Sequence, residues 1–87
     1  MEIKYSERAV RQIRRIWKGD KKSAALIMES VEAYAGNPAG RFDIKMLRGK
    51  HGDLKRLRVG KYRIIFEDSG EEMLIYEIKH RQEAYHD

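Results

Sequence analysis

The sequence predicts an α+β fold with a short N-terminal strand, followed by a two-helix antiparallel hairpin that packs on one face of a small antiparallel β-meander sheet. Three observations predict it. Apolar residues recur at helical spacing in the first half of the chain, apolar and charged residues alternate in the second half, and Gly60-Lys61 separates two of the alternating segments. A chain of 87 residues fits a single domain spanning residues 1–87.

The N-terminal part is predicted to hold a strand at Glu2 to Tyr5 and then a helix. The Ser6 side chain can cap the helix, and Glu7 places an acid near the positive end of the helix dipole. The helix is expected to run to Lys18. Its spacing assigns Ala9, Val10, Ile13, Ile16 and Trp17 to the buried side, and Arg8, Arg11, Arg15 and Lys18 to the outer side.

A second helix is predicted after Gly19-Asp20, with Asp20 as its cap. Gly36-Asn37-Pro38 ends it, and Gly36 is expected to adopt the left-handed conformation at the helix end. The spacing predicts a buried stripe of Ala24, Ile27, Met28, Val31, Tyr34 and Ala35.

Two strands joined at Gly60-Lys61 form the predicted centre of the sheet. Glycine at the first loop position is typical of a type II′ turn. Pairing then runs outward one residue at a time. The expected pairs are Val59 with Tyr62, Arg58 with Arg63, Leu57 with Ile64, and Arg56 with Ile65.

Two more strands are expected to extend the sheet. A short one is predicted within Phe42 to Leu47, before a loop at Gly49–Asp53, and another at Met73 to Lys79, after a turn at Ser69-Gly70-Glu71. The expected pairs are Phe66 with Leu74, Ile65 with Ile75, and Arg63 with Glu77. This register assigns Leu74, Tyr76 and Ile78 to the helix-covered face, and Met73, Ile75, Glu77, Lys79 and Arg81 to the open face with Arg56, Arg58 and Arg63.

The pairing of Arg58 with Arg63 indicates an anion site on the open face. Like charges directly opposite each other cost up to about 1 kcal/mol. A purely structural sheet therefore favours other residues there, although two solvated arginines splaying apart remain the alternative. Glu77 is expected to hold Arg63, because a carboxylate can fix the orientation of a guanidinium group.

The charge balance points to a polyanionic partner. There are 19 Lys and Arg residues against 14 Asp and Glu, and residues 45–63 hold eight basic residues with Asp53 as the only acid. Clustered positive charge is typical of nucleic-acid binding, while a simply solvated surface is the alternative.

Several classes of site and location are disfavoured. The chain has no cysteine, and His51, His80 and His86 are too scattered for a metal site, so no metal and no cofactor are expected. No serine has the partners of a hydrolase triad, and no glycine-rich phosphate loop is present. The N-terminus resembles no targeting segment and no apolar run reaches membrane-spanning length, so a cytoplasmic protein with no membrane partner is expected.

The remaining candidate chemistry is a cluster of arginines and lysines with Tyr85, His80 and His86 just after the last strand. Such a group can bind a phosphodiester, stabilise a pentavalent phosphorus and stack a base. It offers no conventional general base, since His86 is the penultimate residue. For Tyr85, the structural alternative is a tail residue packed against the sheet edge.

Two segments resemble signatures of a known superfamily. Leu57-Arg58-Val59-Gly60-Lys61-Tyr62-Arg63-Ile64-Ile65-Phe66-Glu67 and Ile78-Lys79-His80-Arg81-Gln82-Glu83-Ala84-Tyr85 are similar to the LRVGxYRIIYE and HRxxxY patterns of the RelE/ParE toxins of type II toxin–antitoxin systems. The two-helix hairpin and Leu47-Arg48-Gly49 also fit that family. RelE-like members cleave messenger RNA in the ribosomal decoding site, whereas ParE-like members poison DNA gyrase on the same scaffold.

The RelE-like reading implies an endoribonuclease (mRNA interferase) that uses a ribose 2′-hydroxyl to attack the adjacent phosphate. By resemblance, Arg63 stabilises the pentavalent phosphate, Arg81 holds phosphate or assists the leaving oxygen, and Tyr85 orients the nucleotide or assists its 2′-hydroxyl. Arg56 and Arg58 fall where the family carries basic residues, one of which lowers the pKa of the attacking hydroxyl.

The resemblance has departures and implies partners. His86 resembles the near-terminal histidine of the YoeB branch, but its spacing and the Asp87 ending differ, and Leu54-Lys55 replaces an aromatic residue. The implied partners are a cognate antitoxin, the ribosome and mRNA, with operator DNA contacted only through the antitoxin complex. A gyrase poison and an inactive regulatory member are the alternatives. RNA binding is assigned to Lys45, Arg48, Lys50, Lys55, Lys61, Lys79, His80 and His86.

Overall fold

In the computed structural model, which describes residues 1–47 and 54–81, two helices pack against a five-stranded sheet. The predicted α+β fold class is confirmed. The strands lie in the order β1-β5-β4-β3-β2, and the sheet is mixed because β1 runs parallel to β5. The elements are β1 (Glu2–Tyr5), α1 (Glu7–Gly19), α2 (Lys21–Gly36), β2 (Ile44–Met46), β3 (Lys55–Val59), β4 (Tyr62–Asp68) and β5 (Glu72–His80).

Both helices begin at the predicted caps. The Ser6 hydroxyl accepts a hydrogen bond from the Ala9 amide at 3.0 Å, and the Asp20 carboxylate accepts one from the Ser23 amide at 3.1 Å. The predicted left-handed conformation of Gly36 is wrong, because the positive φ angles in the described residues belong to Gly60 and Gly70. The Asn37 amide instead donates to carbonyls of the last helical turn and closes α2.

Neither described helix is long and apolar enough to cross a membrane.

The apolar stripe of α2 is buried as predicted, except for Met28, and Trp17 of α1 is also exposed against expectation. A helix turns about 100° per residue, so Ile13 and Ile16 stay close to the direction of buried Ala9, while Trp17 lies about 80° away at the rim.

The central hairpin has the predicted register. Val59 lies opposite Tyr62 and Arg58 lies opposite Arg63. Gly60 has a φ angle of 57°, and Lys61 has a negative φ, which is the combination that a type II′ turn requires. The turn residue thus fixes which residues of β3 and β4 share a face.

A β-bulge divides the pairing of β4 with β5. Ile65 lies opposite Glu77 and Phe66 lies opposite Ile75, which leaves Tyr76 as an extra residue on β5. An extra residue inverts the two faces of a strand beyond it, because successive side chains point to opposite sides. The two halves of β5 therefore follow opposite patterns of burial.

The bulge corrects part of the predicted register. Met73 and Ile75 are buried in the core, not on the open face, and Leu74 and Tyr76 are not part of that core. Ile78 is buried as predicted. On the far side of the bulge, Arg63 lies opposite Lys79 instead of Glu77; this shift by two residues keeps Glu77 and Lys79 on the open face.

The start of α1 supports the bulge. Beyond Ile75, β1 has left the edge of β5, and side chains of α1 and its cap replace the missing strand. The Ser6 hydroxyl donates to the Tyr76 carbonyl at 2.6 Å, and the Gln12 side-chain oxygen accepts from the Ile78 amide at 2.6 Å. These bonds satisfy backbone groups that a strand edge otherwise leaves unpaired.

A network of hydrogen-bonded polar side chains lies at the edge of the core, between α2 and the sheet. Tyr34 packs edge-to-face on Phe42 and Phe66, and its hydroxyl donates to Asp68. Asp68 also accepts from the Lys55 ammonium at 3.0 Å. Burial on its own raises the pKa of Asp68, but the hydrogen bonds from Tyr34 and Lys55 outweigh it, and the net pKa is lowered.

This network predicts a loss of stability in acid. A carboxyl group with a lowered pKa in the folded state stabilises the fold above its ordinary pKa of 3.8, and that contribution disappears as the pH falls through the lower folded-state value. We expect Asp68→Asn to lower the free energy of unfolding by about 1–3 kcal/mol at neutral pH and to lose less stability than wild type on acidification. Urea unfolding at a series of pH values measures both effects. If the free energy of unfolding falls equally with pH in the two proteins, the acid sensitivity does not come from Asp68.

Candidate functional site

The open face of the sheet, opposite the helices, carries most of the basic residues predicted to form a site. The Arg58 amide donates to the Asp43 carbonyl at 3.0 Å, so Asp43 continues the register of β2 against β3. Neighbouring strands lie about 4.8 Å apart. One row across the face therefore reads Asp43, Arg58, Arg63 and Lys79, and the next reads Lys45, Arg56, Ile65 and Glu77.

Three arginines from three successive segments meet at one small pocket. Arg58 of β3, Arg63 of β4 and Arg81, which directly follows β5, line it together with the Gly60-Lys61 turn and Tyr62, around a volume of about 70 Å³. The Arg81 amide donates to the Lys61 carbonyl at 2.7 Å, which fixes Arg81 beside the turn. We call this the arginine pocket.

The arginine pocket suits an oxyanion. Guanidinium groups stay charged at every physiological pH and donate paired hydrogen bonds to phosphate oxygens. Arg58 and Arg81 are exposed, and Arg63 is partly buried with its Nε atom shielded from solvent. The described residues that line the pocket include no carboxylate and no histidine, so they can stabilise negative charge but supply no proton acceptor of ordinary basicity.

Arg58, Arg63 and Lys79 lie side by side on three strands, and we call them the cationic row. Two carboxylates flank this row. Glu77 contacts Lys79 at 3.5 Å and Arg8 of α1 at 3.7 Å. At the other end, Asp43 contacts Arg56 at 2.9 Å and Arg58 at 3.9 Å. The sequence reasoning missed Asp43. Its spacing of two from Lys45 was the available signal, because that alternation places both on one face of a strand.

Arg56 lies on the open face but is not accessible there. It is 7% exposed, and within residues 1–47 and 54–81 its only charged partner is Asp43. This burial differs from the expected open position. Arg56 therefore holds Asp43 in place more readily than it can contact a ligand in solution.

Two of the predicted RNA-binding residues lie on the helix-covered side of the sheet. Lys55 is bound to Asp68 in the polar network. His80 packs edge-to-face with Tyr62, at 5.2 Å between ring centres, beside a cavity of about 420 Å³ that Gln12 and Arg15 also line. The bulge and the hairpin register point these two side chains away from the arginine pocket.

The other predicted site residues, the RNA-binding ones and Tyr85, divide into two groups. Lys45 is exposed on the open face, Lys61 lines the arginine pocket, and Lys79 lies in the cationic row. The remaining predictions lie outside the described residues: Arg48, Lys50, Tyr85 and His86. Among the described residues, no three His, Asp or Glu side chains are grouped to hold a metal ion.

The charge of the open face changes from positive at the hairpin turn to negative at the bulge. At the bulge it forms a cavity of about 380 Å³ lined by Leu54, Ile65, Glu67, Tyr76 and Glu77. The Tyr76 hydroxyl donates to Glu67 at 2.6 Å, and this bond is the main reason why the pKa of Tyr76 is raised. Because this half is apolar and acidic, the field of the face directs a polyanion to the hairpin-turn end, where the arginine pocket lies.

Known structures share this fold. The YoeB dimer from Staphylococcus aureus aligns with a TM-score of 0.79 at 19% identity, over 92% of this chain and 95% of that one. A chain of the archaeal RelE–RelB complex from Pyrococcus horikoshii OT3 aligns with a TM-score of 0.75 at 25% identity, over 92% and 93%. A point mutant of YafQ from E. coli gives 0.70 at 11%, over 97% of each chain.

The sequence comparison supplies the family. No curated protein matches the chain significantly by sequence. The family model described as the ParE toxin of the type II toxin–antitoxin system, parDE, matches residues 3–85, which is nearly the whole chain. Together with the shared fold, this match shows that the chain belongs to the ParE toxin family of type II toxin–antitoxin systems.

Proposed function

We propose that this toxin is a ribosome-dependent endoribonuclease that cleaves messenger RNA. The observation that supports it is the convergence of Arg58, Arg63 and Arg81 on one pocket. Three guanidinium groups around a phosphate-sized space are the arrangement that phosphoryl transfer needs, because they lie where negative charge develops on the phosphate.

The proposed reaction is an attack by a ribose 2′-oxygen on the adjacent phosphorus. A bond forms between the 2′-oxygen and phosphorus, and the bond from phosphorus to the 5′-oxygen breaks. The 2′-hydroxyl loses its proton and the departing 5′-oxygen gains one, so the products carry a 2′,3′-cyclic phosphate and a 5′-hydroxyl. Arg63 stabilises the pentavalent phosphate, Arg81 holds a phosphate oxygen or the leaving oxygen, and Arg58 neutralises charge on the attacking side. Tyr85 orients the nucleotide, as the family resemblance implies.

We propose dependence on the ribosome because the described lining of the arginine pocket offers no ordinary base. This lining can stabilise charge, but alignment of the 2′-hydroxyl with the phosphate has to supply much of the rate. The exposed residues Arg8, Arg11, Arg15 and Lys18 of α1 give a second cationic surface that suits ribosomal RNA. We place the protein in the cytoplasm, where ribosomes are.

A cognate antitoxin is the proposed regulatory partner. Solved structures with this fold include a RelE–RelB complex and the YoeB–YefM complex from Staphylococcus aureus. An acidic antitoxin segment can neutralise the arginine pocket by charge. Contact with operator DNA is proposed only through that complex.

The direct test uses purified toxin and ribosomes programmed with a defined message. Primer extension is expected to show cleavage within the codon in the decoding site, with no cleavage of the same message free in solution. An intact message on the ribosome would contradict the proposal.

The match to the ParE family model favours one alternative, a gyrase poison that acts by binding. The same preparation can be tested in a DNA gyrase supercoiling assay. Inhibition of supercoiling with an intact message selects the alternative, and cleavage without inhibition selects the nuclease.

A further inference from the structure

The carboxylate of Asp43 lies where the positive charges of Arg56 and Arg58 would bind a phosphate group. Its carboxylate lies 2.9 Å from Arg56 Nη2 and 3.9 Å from Arg58 Nε, and its side chain is 55% exposed. Two guanidinium groups that converge on one carboxylate mark an oxyanion position beside the arginine pocket, which Arg58 also lines.

The two contacts of Asp43 differ in kind. The contact with Arg56 is a hydrogen bond to a guanidinium group that is almost fully buried, and loss of that partner leaves a buried charge without compensation. The contact with Arg58 is longer than a hydrogen bond, and Arg58 is 46% exposed. Arg56 therefore anchors Asp43, while Arg58 can leave it at little cost.

We propose that Asp43 competes with RNA phosphate for Arg58 and so weakens the binding of free RNA to the arginine pocket. This inference rests on RNA as the ligand of the arginine pocket, as proposed above, but not on cleavage. A phosphate of free RNA can bind Arg58 only by displacing the Asp43 carboxylate from it. On the ribosome, the additional contacts of the cationic α1 surface offset that competition. Asp43 thus keeps the binding of free RNA weak, while RNA on the ribosome is still bound with the help of the α1 contacts.

The test measures binding of a short 2′-O-methyl RNA, which cannot be cleaved through a 2′-hydroxyl, by fluorescence anisotropy at several salt concentrations. Asp43→Asn keeps an oxygen acceptor for Arg56 but removes the charge. We expect it to bind free RNA about fivefold more tightly, as one charge at about 4 Å gives in water, with a salt dependence steeper by about 0.7. Asp43→Glu keeps the competition and is expected to bind like wild type.

Two controls separate competition from net charge. Glu32→Gln removes one exposed negative charge from α2 and is expected to change the affinity less than twofold. In an Arg58→Ala background, Asp43→Asn is expected to give no gain, because the gain passes through Arg58. Unchanged or weaker binding by Asp43→Asn, or a gain that persists without Arg58, would overturn the inference.

A measurement on the wild-type protein needs no variant. The side-chain Nε–Hε NMR signal of Arg58 is expected to shift when the 2′-O-methyl RNA is added, while that of Arg56 stays in place. A shift of both signals, or of neither, overturns the proposed exchange. A toxin that binds this RNA but does not cleave on ribosomes would overturn the nuclease proposal alone.

Discussion

Replacing Arg63 with alanine is expected to lower message cleavage on programmed ribosomes at least about a hundredfold, which is the effect of removing one preorganised donor from a developing oxyanion. Arg63 occupies the middle of the cationic row, with Arg58 and Lys79 as its neighbours on the adjoining strands. It also lines the arginine pocket. Its loss removes the central positive charge from the place where a phosphate would bind.

The same variant is expected to stay folded. Arg63 faces a like charge on β3, and the repulsion that its removal relieves is worth up to about 1 kcal/mol. Arg63→Lys tests the paired hydrogen-bond geometry, since lysine keeps the charge but not the planar fork. Lys22→Ala removes one charge from the exposed surface of α2 and is expected to cleave normally. Full cleavage by a folded Arg63→Ala protein would exclude Arg63 from the reaction.

Deletion of Tyr76 is expected to preserve the two faces of β5 at modest cost. Without the extra residue, β4 and β5 pair in one continuous register in which Ile75 stays opposite Phe66 and Ile78 stays opposite Ile64, so both halves of β5 still direct their apolar residues inward. The deletion removes the bonds that Tyr76 makes to Ser6 and Glu67. At about 0.5–1.5 kcal/mol for each bond, a loss of about 1–3 kcal/mol in the free energy of unfolding is expected.

Tyr76→Ala is the matched control for the deletion. It keeps the extra residue and loses the hydrogen bond to Glu67, so a loss of about 1 kcal/mol is expected. Guanidinium unfolding measures both variants. A deletion that costs several kcal/mol more than the substitution would contradict this continuous register.

Patterns within single elements were predicted well because they depend on local chemistry. The cap at Ser6, the type II′ turn at Gly60 and the opposition of Arg58 and Arg63 each follow from a few adjacent residues. The side of α1 that Trp17 occupies was predicted incorrectly. Helical periodicity gives the spacing of a stripe but not the width of the surface that covers it.

The site was predictable only in part, because strand alternation is a local pattern while burial and ion pairing depend on the folded chain. The grouping of Arg58, Arg63 and Arg81 followed from strand alternation, and the shift of two residues in the register preserved their common face. The burial of Arg56 and the position of Lys55 against Asp68 depend on segments that meet only in the folded chain. Asp43 was missed because a single acid beside a basic segment shows no preferred partner in sequence.

The sequence by itself determined the fold class, the central hairpin and its register, because turn residues and alternation act between near neighbours. Only the tertiary structure decided the bulge at Tyr76, the parallel pairing of β1 with β5, and the capture of Arg56 and Arg58 by Asp43. In each of these, the free energy depends on contacts between residues far apart in the chain. Packing and hydrogen bonding across the finished sheet select one arrangement among several that the local pattern allows.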